Sequence, residues 1–490
     1  MSAACRLFLL VLTCGAALPA AAAAQSLSFP ALAGDARAGE GVTAPCAAPG
    51  LVGRAQCGVF RVLEDRDAEA MGSRTIDIAF IVLEALEPSG RVDDPLIHLP
   101  GGPGEAFTPA AVPLSAAFPD LRRHRDVLLV DVRGVGRSGA LSCDVPYPGG
   151  LPSRFGAVFP VEHVSACRDA LAQRARLDRY TTVSTVDDLE ELRRWLGYSA
   201  YNLIGGSYGT RVAQIYMRRY PDAVRTAVMN GVAPVAGRAY VTHARLLQRA
   251  LDRLLEECRA SAGCGAAYPG LDASLARLIA RFADGPQQVV VNGVPVRFGI
   301  GDLGYALRGL LYGRGAELPG MIAAAASGPL EPLAEYYLER TNWVGGANGY
   351  AGYHFSVLCA EDIAATTDEE VAREGAGTFM GGHLIDGYRA ACRAWPHASL
   401  PASHFTPVVS DVPTLLLSGS RDPVTPPEGA DAVAAHLTHH VHVVVPNGGH
   451  GVGGPCIGRM ITRLVATGGL DGIDTSCVGA APPTPFRLPQ

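Results

Sequence analysis

Residues 201–210 read YNLIGGSYGT. A mostly apolar run ends in two glycines, Ser207 follows, and Gly209 closes the turn. Gly205 to Gly209 form a G-x-S-x-G pattern, which is common by chance and gains meaning only from its flanks. Here the flanks are a strand, YNLI, and a helix, TRVAQIYMRRYPD (210–222), stopped at Pro221. A serine on a tight strand-to-helix turn needs small neighbours, because its own backbone is strained. The turn lifts the hydroxyl off the sheet, and the helix N-terminus favours negative charge beside it.

A serine hydroxyl is a poor nucleophile until a base takes its proton. On this kind of turn the acid and the base follow the serine in the order Asp, His. Downstream the chain has LLLSGSRDPVTPP (415–427) and VVVPNGGHG (443–451). Asp422 comes just past one strand and His450 just past the next, at strand ends where ligands meet an open α/β sheet. Asp422 is expected to orient His450 and stabilise its cationic form. The oxyanion needs N–H donors. Tyr208, next after the serine, is one candidate. Gly102, in the loop LPGGPGE (99–105), is the other. That loop has no lysine, so it is not a phosphate cradle.

The surrounding pattern is α/β. GVFRVLED (58–65), RTIDIAFIVLEAL (74–86), PLIHLPGGPG (95–104) and DVLLVDVRGVGRSG (126–139) read as strands, the last two ending in glycine turns. STVDDLEELRRWLGY (184–198) reads as a helix capped by Ser184 or Thr185 and ended by Gly197, and RTAVMNGVAP (225–234) as the next strand. From about 237 to 400 helical stretches dominate. The expectation is an α/β fold, a mostly parallel sheet with an inserted, mainly helical cap. Its boundaries are a signal peptide at 1–24, core at 25–236, cap at 237–404 and core again at 405–490.

Composition narrows the chemistry. The 490 residues are 48% hydrophobic, ample for a core, and net charge is −6, so no nucleic-acid partner is expected. All 41 basic residues are arginine. The absence of lysine removes Schiff-base and P-loop chemistry together. No cofactor is expected. His440 and His442 share a strand face and are read as ordinary strand residues; with no CxxC spacing, no metal site is expected either.

The first residues, MSAACRLFLLVLTCGAALPAAAAAQS, carry a positive charge, a short apolar segment and an Ala-rich cleavage region. They read as a signal peptide, which implies export and no stable membrane association. Ten cysteines remain after its removal, an even number suited to disulfides in an oxidising compartment. They fall as five close couples, so sequential pairing is expected: 46–57, 143–167, 258–264, 359–392 and 456–477.

The set GGPG (101–104), DVRGVGRSG (131–139), GGSYGT (205–210), DPVTPP (422–427) and GGHG (448–451) resembles the α/β-hydrolase peptidases of the prolyl and tripeptidyl aminopeptidase group. VLCAED (357–362), CRAWP (392–396) and DTSC (474–477) are similar to the secreted tripeptidyl-aminopeptidase-like branch. The resemblance covers roughly residues 55–480. It implies an exopeptidase that removes one to three residues from a free peptide N-terminus, with acidic cap residues binding the substrate ammonium. Glu361 and Asp362 match that position, Glu361 being favoured, and Thr425 stands ready to assist Asp422. Two departures concern proline preference: Leu99 and Pro100 separate His98 from Gly101, and Glu105 follows the loop where a small residue is common. A carboxylesterase or lipase with the same Ser-Asp-His set is the alternative.

Overall fold

A computed structural model describes residues 27–67, 73–345 and 349–489. The expected signal peptide at 1–24 lies outside the described residues. Among the described residues there are eleven strands: β1 (Gly41–Cys46), β2 (Ala55–Leu63), β3 (Thr75–Leu83), β4 (Leu96–Leu99), β5 (Val127–Val130), β6 (Tyr201–Gly206), β7 (Val224–Asn230), β8 (Gln287–Val291), β9 (Val294–Phe298), β10 (Thr414–Gly419) and β11 (His440–Val445). Nine form one sheet in the order β1-β2-β3-β5-β4-β6-β7-β10-β11. The first three pairings, out to β3–β5, are antiparallel; every pairing from β5–β4 to β10–β11 is parallel.

The short apolar runs make sense in this setting. A parallel strand covered on both faces has no polar side to show. In β5, Leu128 and Val130 join the buried cluster on one face and Val127 and Leu129 the cluster on the other. In β3, Ile78 and Phe80 face one way, Ile81 and Leu83 the other. Helices Thr182–Leu196 and Tyr208–Arg219 add to the first cluster, and Pro455–Thr467 adds Ile461 and Leu464 to the second.

Between β7 and β10 the chain leaves the sheet and forms helices such as His243–Ala260, Ile300–Gly313, Glu331–Gly345, Ala351–Leu358 and His383–Ala394. One hairpin, β8–β9, interrupts them. Its turn is Asn292-Gly293, both at positive φ (51° and 76°), the dipeptide such hairpins favour. The helix expected from Ser184 begins earlier, at Thr182, because Thr181 is the cap: its hydroxyl accepts the Ser184 N–H. Gly197 ends that helix in the left-handed region, as expected (φ 76°).

All five cysteine couples are bonded in sequential order, each with Cα atoms 5.0–5.8 Å apart. Among the described residues, no helix is long and apolar enough to cross a membrane.

Candidate active site

The elbow is built by close backbone packing. Ser207 sits at φ 53°, ψ −120°, between β6 and the helix Tyr208–Arg219. A Cβ on Gly209 would lie 2.2 Å from the Leu99 carbonyl oxygen, and one on Gly205 would lie 2.5 Å from the Gly209 oxygen. Any larger residue at either position would push the serine away from the sheet. Ser207 N–H donates to the Asn230 carbonyl (2.9 Å), and its own carbonyl accepts from Thr210 N–H and Oγ1 (3.0 and 2.6 Å).

Asp422 and His450 come together from the ends of β10 and β11. His450 Nδ1 and Asp422 Oδ2 are 2.8 Å apart. Asp422 also accepts from Val424 N–H (3.0 Å), Thr425 N–H (2.8 Å) and Thr425 Oγ1 (2.7 Å). Burial works against its charge, but His450 and these donors outweigh burial and hold the carboxyl below its usual range. Thr425 Oγ1 lies 3.0 Å from His450 Nδ1, so the hydroxyl touches both partners.

The glycine loop after β4 faces the same space. Gly101 N–H donates to Glu105 Oε2 (3.1 Å), while Gly102 N–H has no acceptor among the described residues. Tyr208 opens its helix, where an N–H has no carbonyl one turn back. The loop is held from the far side: Tyr240 OH donates to the Gly102 carbonyl (3.0 Å), and His354 Nδ1 lies 3.0 Å from the Pro103 carbonyl. Asp131 holds the segment just after it, accepting from the N–H groups of Phe107 and Thr108 (both 3.0 Å). The DVRGVGRSG motif thus braces the loop from beneath.

Ser207, His450, Gly102, Tyr208 and Asp362 line one cavity of about 1790 Å³. Glu361 does not belong to that lining. It is buried and accepts from Thr182 N–H (2.8 Å) and Thr182 Oγ1 (2.7 Å), with His404 Nε2 3.7 Å away. Thr182 Oγ1 in turn reaches Tyr208 OH (2.7 Å). Burial raises the Glu361 carboxyl, but His404, Thr182 and Arg211 more than reverse this. Asp362 reaches the cavity with its charge engaged by Arg211 (2.7 and 3.1 Å), and burial still pushes its carboxyl up. The two residues follow one another in a π-helical turn, Cys359–Ile363, and point to different surroundings.

Two cavity residues stand out that the motifs alone did not assign. Glu105 has no cation partner among the described residues; burial raises its carboxyl, with Gly101 N–H and His450 acting the other way. Tyr312 packs its ring 4.9 Å from that of His450 and lines the same cavity as Ser207. Burial is the main cause that pushes this phenol up to about 12. Among the other histidines, His98 and His354 are each held near 4 by burial and stay neutral. His442 bonds Ser418 and Asp431 (both 2.9 Å), and no group of side chains among the described residues is arranged to hold a metal.

Residues 94–264 match the family model described as alpha/beta hydrolase fold, and residues 378–477 the model described as TAP-like protein. The chain is a serine hydrolase of the α/β-hydrolase fold. It is similar to the tripeptidyl aminopeptidase of Streptomyces coelicolor, 25% identical over 80% of this chain and 77% of that protein. It is also similar to the serine protease Hip1 of Mycobacterium tuberculosis, 26% identical over 77% of this chain and 78% of that one. A shorter likeness, 28% over 147 residues, links this hydrolase to the proline iminopeptidase of Neisseria gonorrhoeae, covering 30% of this chain and 35% of that one.

Proposed function

We propose that this hydrolase is an exported serine exopeptidase that releases short N-terminal units, one to three residues long, from peptides through an acyl-enzyme. Ser207 attacks the scissile carbonyl carbon, and His450 takes the hydroxyl proton. Asp422, helped by the Thr425 hydroxyl, orients the imidazole and stabilises its cation. The N–H groups of Gly102 and Tyr208 hold the oxyanion. His450 then hands its proton to the leaving amine, and water repeats the sequence to free the acyl unit.

The observation that carries the reading is an ionisable carboxylate, Glu105, unpaired by any cation among the described residues and facing the cavity of Ser207 and His450. In a partly closed cleft such a group selects a cationic amine. Glu105 takes the role of ammonium partner, with Asp362 on the cavity wall as the second acid. Glu361 acts from behind, fixing Thr182 and through it Tyr208. Residues 237–404 act as a cap that limits access to chain ends. Residues 1–24 act as a removed signal, a reading supported by the five disulfides.

The test is hydrolysis of free-amino aminoacyl and tripeptidyl anilides, their N-blocked twins and a short-chain ester, by wild type, Ser207→Ala and Glu105→Gln. Cleavage confined to free-amino anilides, lost in Ser207→Ala and with KM raised in Glu105→Gln, supports the exopeptidase. Cleavage of the ester alone leaves an esterase.

A further inference from the structure

Six arginines line the cavity. Four have carboxylate partners: Arg211 with Asp362 (2.7 Å), Arg421 and Arg253 with Glu257 (2.7 and 3.8 Å), and Arg314 with Glu317. Arg308 and Arg340 have none among the described residues, and the Arg308 Nε also has no hydrogen-bond acceptor there. A cation withdrawn from water without a counter-charge is costly. The cost is only partly offset for Arg308, whose guanidinium lies over the rings of Tyr305 and Tyr312 (both 5.4 Å). Its Nε is fully covered and makes no hydrogen bond. Arg340 runs close by: its Cγ lies 3.1 Å from where a Cβ on Gly309 would stand.

The location matters as much as the missing partner. Tyr312, the ring beneath Arg308, is the ring that packs on His450 and shares the cavity with Ser207. One tyrosine therefore separates an unpaired guanidinium from the reacting groups. Glu105, the unpaired acid of the same cavity, forms an ion pair with neither arginine.

We propose that Arg308 and Arg340 form a carboxylate-binding subsite, so that this hydrolase favours substrates carrying an acid group next to the scissile bond. A guanidinium fork matches a carboxylate with two parallel hydrogen bonds, which an ammonium could not copy. The inference rests on the reading of Ser207 as the nucleophile of an acyl-transfer site. The carboxylate has two sources: an acidic side chain on the residue that is released, or the free C-terminus of a short peptide.

The experiment compares kcat/KM within three matched pairs. The first is glutamyl against glutaminyl anilide, both with free amines. The second is a free dipeptide against its C-terminal amide. The third is mono-p-nitrophenyl glutarate against its methyl ester. Wild type is expected to favour the acid by tenfold or more in at least one pair, and the pair concerned identifies the source. In Arg308→Gln the acid-to-neutral ratio is expected to fall by about tenfold to a hundredfold, the range for a charge-assisted hydrogen bond. Arg308→Lys keeps part of the preference, and Arg340→Gln, a second route should Arg308→Gln misfold, lowers it. The inference is overturned if the wild-type ratios all lie near one, or if the preference survives both Gln variants. Should the anilides resist while the esters are cut, the exopeptidase reading fails and the ester pair still decides the subsite. Without any turnover, protection of Ser207 from a serine-reactive phosphonate by glutarate, absent in Arg308→Gln, gives the same decision.

Discussion

Replacing Asp422 by asparagine tests the charge rather than the shape of the site. The amide keeps an oxygen for the N–H groups of Val424 and Thr425, which now donate at 3.0 and 2.8 Å, so the loop should hold. What changes is the face toward His450 Nδ1, at 2.8 Å. An imidazolium about 4 Å from a carboxylate charge, at an effective dielectric near 20, is stabilised by about 4 kcal/mol. That stabilisation exists only once His450 has taken the serine proton, so it belongs to the barrier and amounts to roughly a thousandfold in kcat. The amide NH₂ adds a second fault, because it can donate to Nδ1 and place the imidazole proton on the nitrogen that should receive one. The expected loss is therefore about 10³ to 10⁴ in kcat, with KM little changed. The assay is steady-state hydrolysis of whichever anilide or ester the wild type cuts best, with thermal melting to confirm the fold. A loss under about thirtyfold in a folded variant would refute the assignment of Asp422. A stability signature accompanies it. The Asp422 carboxyl is depressed in the fold, so its contribution is present above the unfolded value near 4 and lost as pH falls through the folded value. The wild type should show that acid-side loss and Asp422→Asn should not.

Three further outcomes follow from the geometry. Ser207→Gly should abolish activity yet raise stability by about 1 kcal/mol, because a non-glycine residue at φ 53° stores strain that glycine does not; a melting curve read beside an activity assay checks both. Asp362→Ala should destabilise by about 3 kcal/mol or more, measured by denaturant unfolding, since it strands the buried Arg211 guanidinium without its counter-charge. Asp302, whose carboxylate caps its helix and accepts from Gly299 and Gly156 N–H (2.8 and 2.9 Å), is pushed by burial to about 6. A raised acid favours the fold while protonated, so the wild type should lose stability relative to Asp302→Asn as pH rises from about 4 through about 6; chemical denaturation across that range reads the difference.

The parts of the site carried by backbone pattern were the parts legible in the sequence. Ser207, Asp422 and His450 each follow the end of a strand, and a parallel sheet delivers strand ends to one edge. The sequential cysteine pairing was legible because the cysteines fall as close couples along the chain, each with its partner nearby. Side-chain direction was not. Glu361 and Asp362 are neighbours in sequence, yet the π-helical turn sends one behind the elbow and the other to the cavity wall. The motif VLCAED cannot tell them apart. Glu105 read as a departure from a pattern, and only the cavity shows what its carboxylate faces. Tyr312 and Arg308 lie inside an ordinary helical stretch and carry no local signal. The β8–β9 hairpin does carry one, VVVNGVPV, set within a region dominated by helical periodicity.

The five disulfides share a property of order. Each joins a cysteine to the next one along the described residues, with separations of only 6 to 33 residues, and no bridge encloses or crosses another. A chain threading N-terminus first into an oxidising space could close each bridge as soon as its second cysteine arrived. No thiol need be held in reserve, and no wrong pair need be undone by exchange. The linear order of cysteines thus doubles as a timetable for oxidation. Refolding from a fully reduced, full-length chain loses that timetable, and the same ten thiols must then find one pairing among about nine hundred.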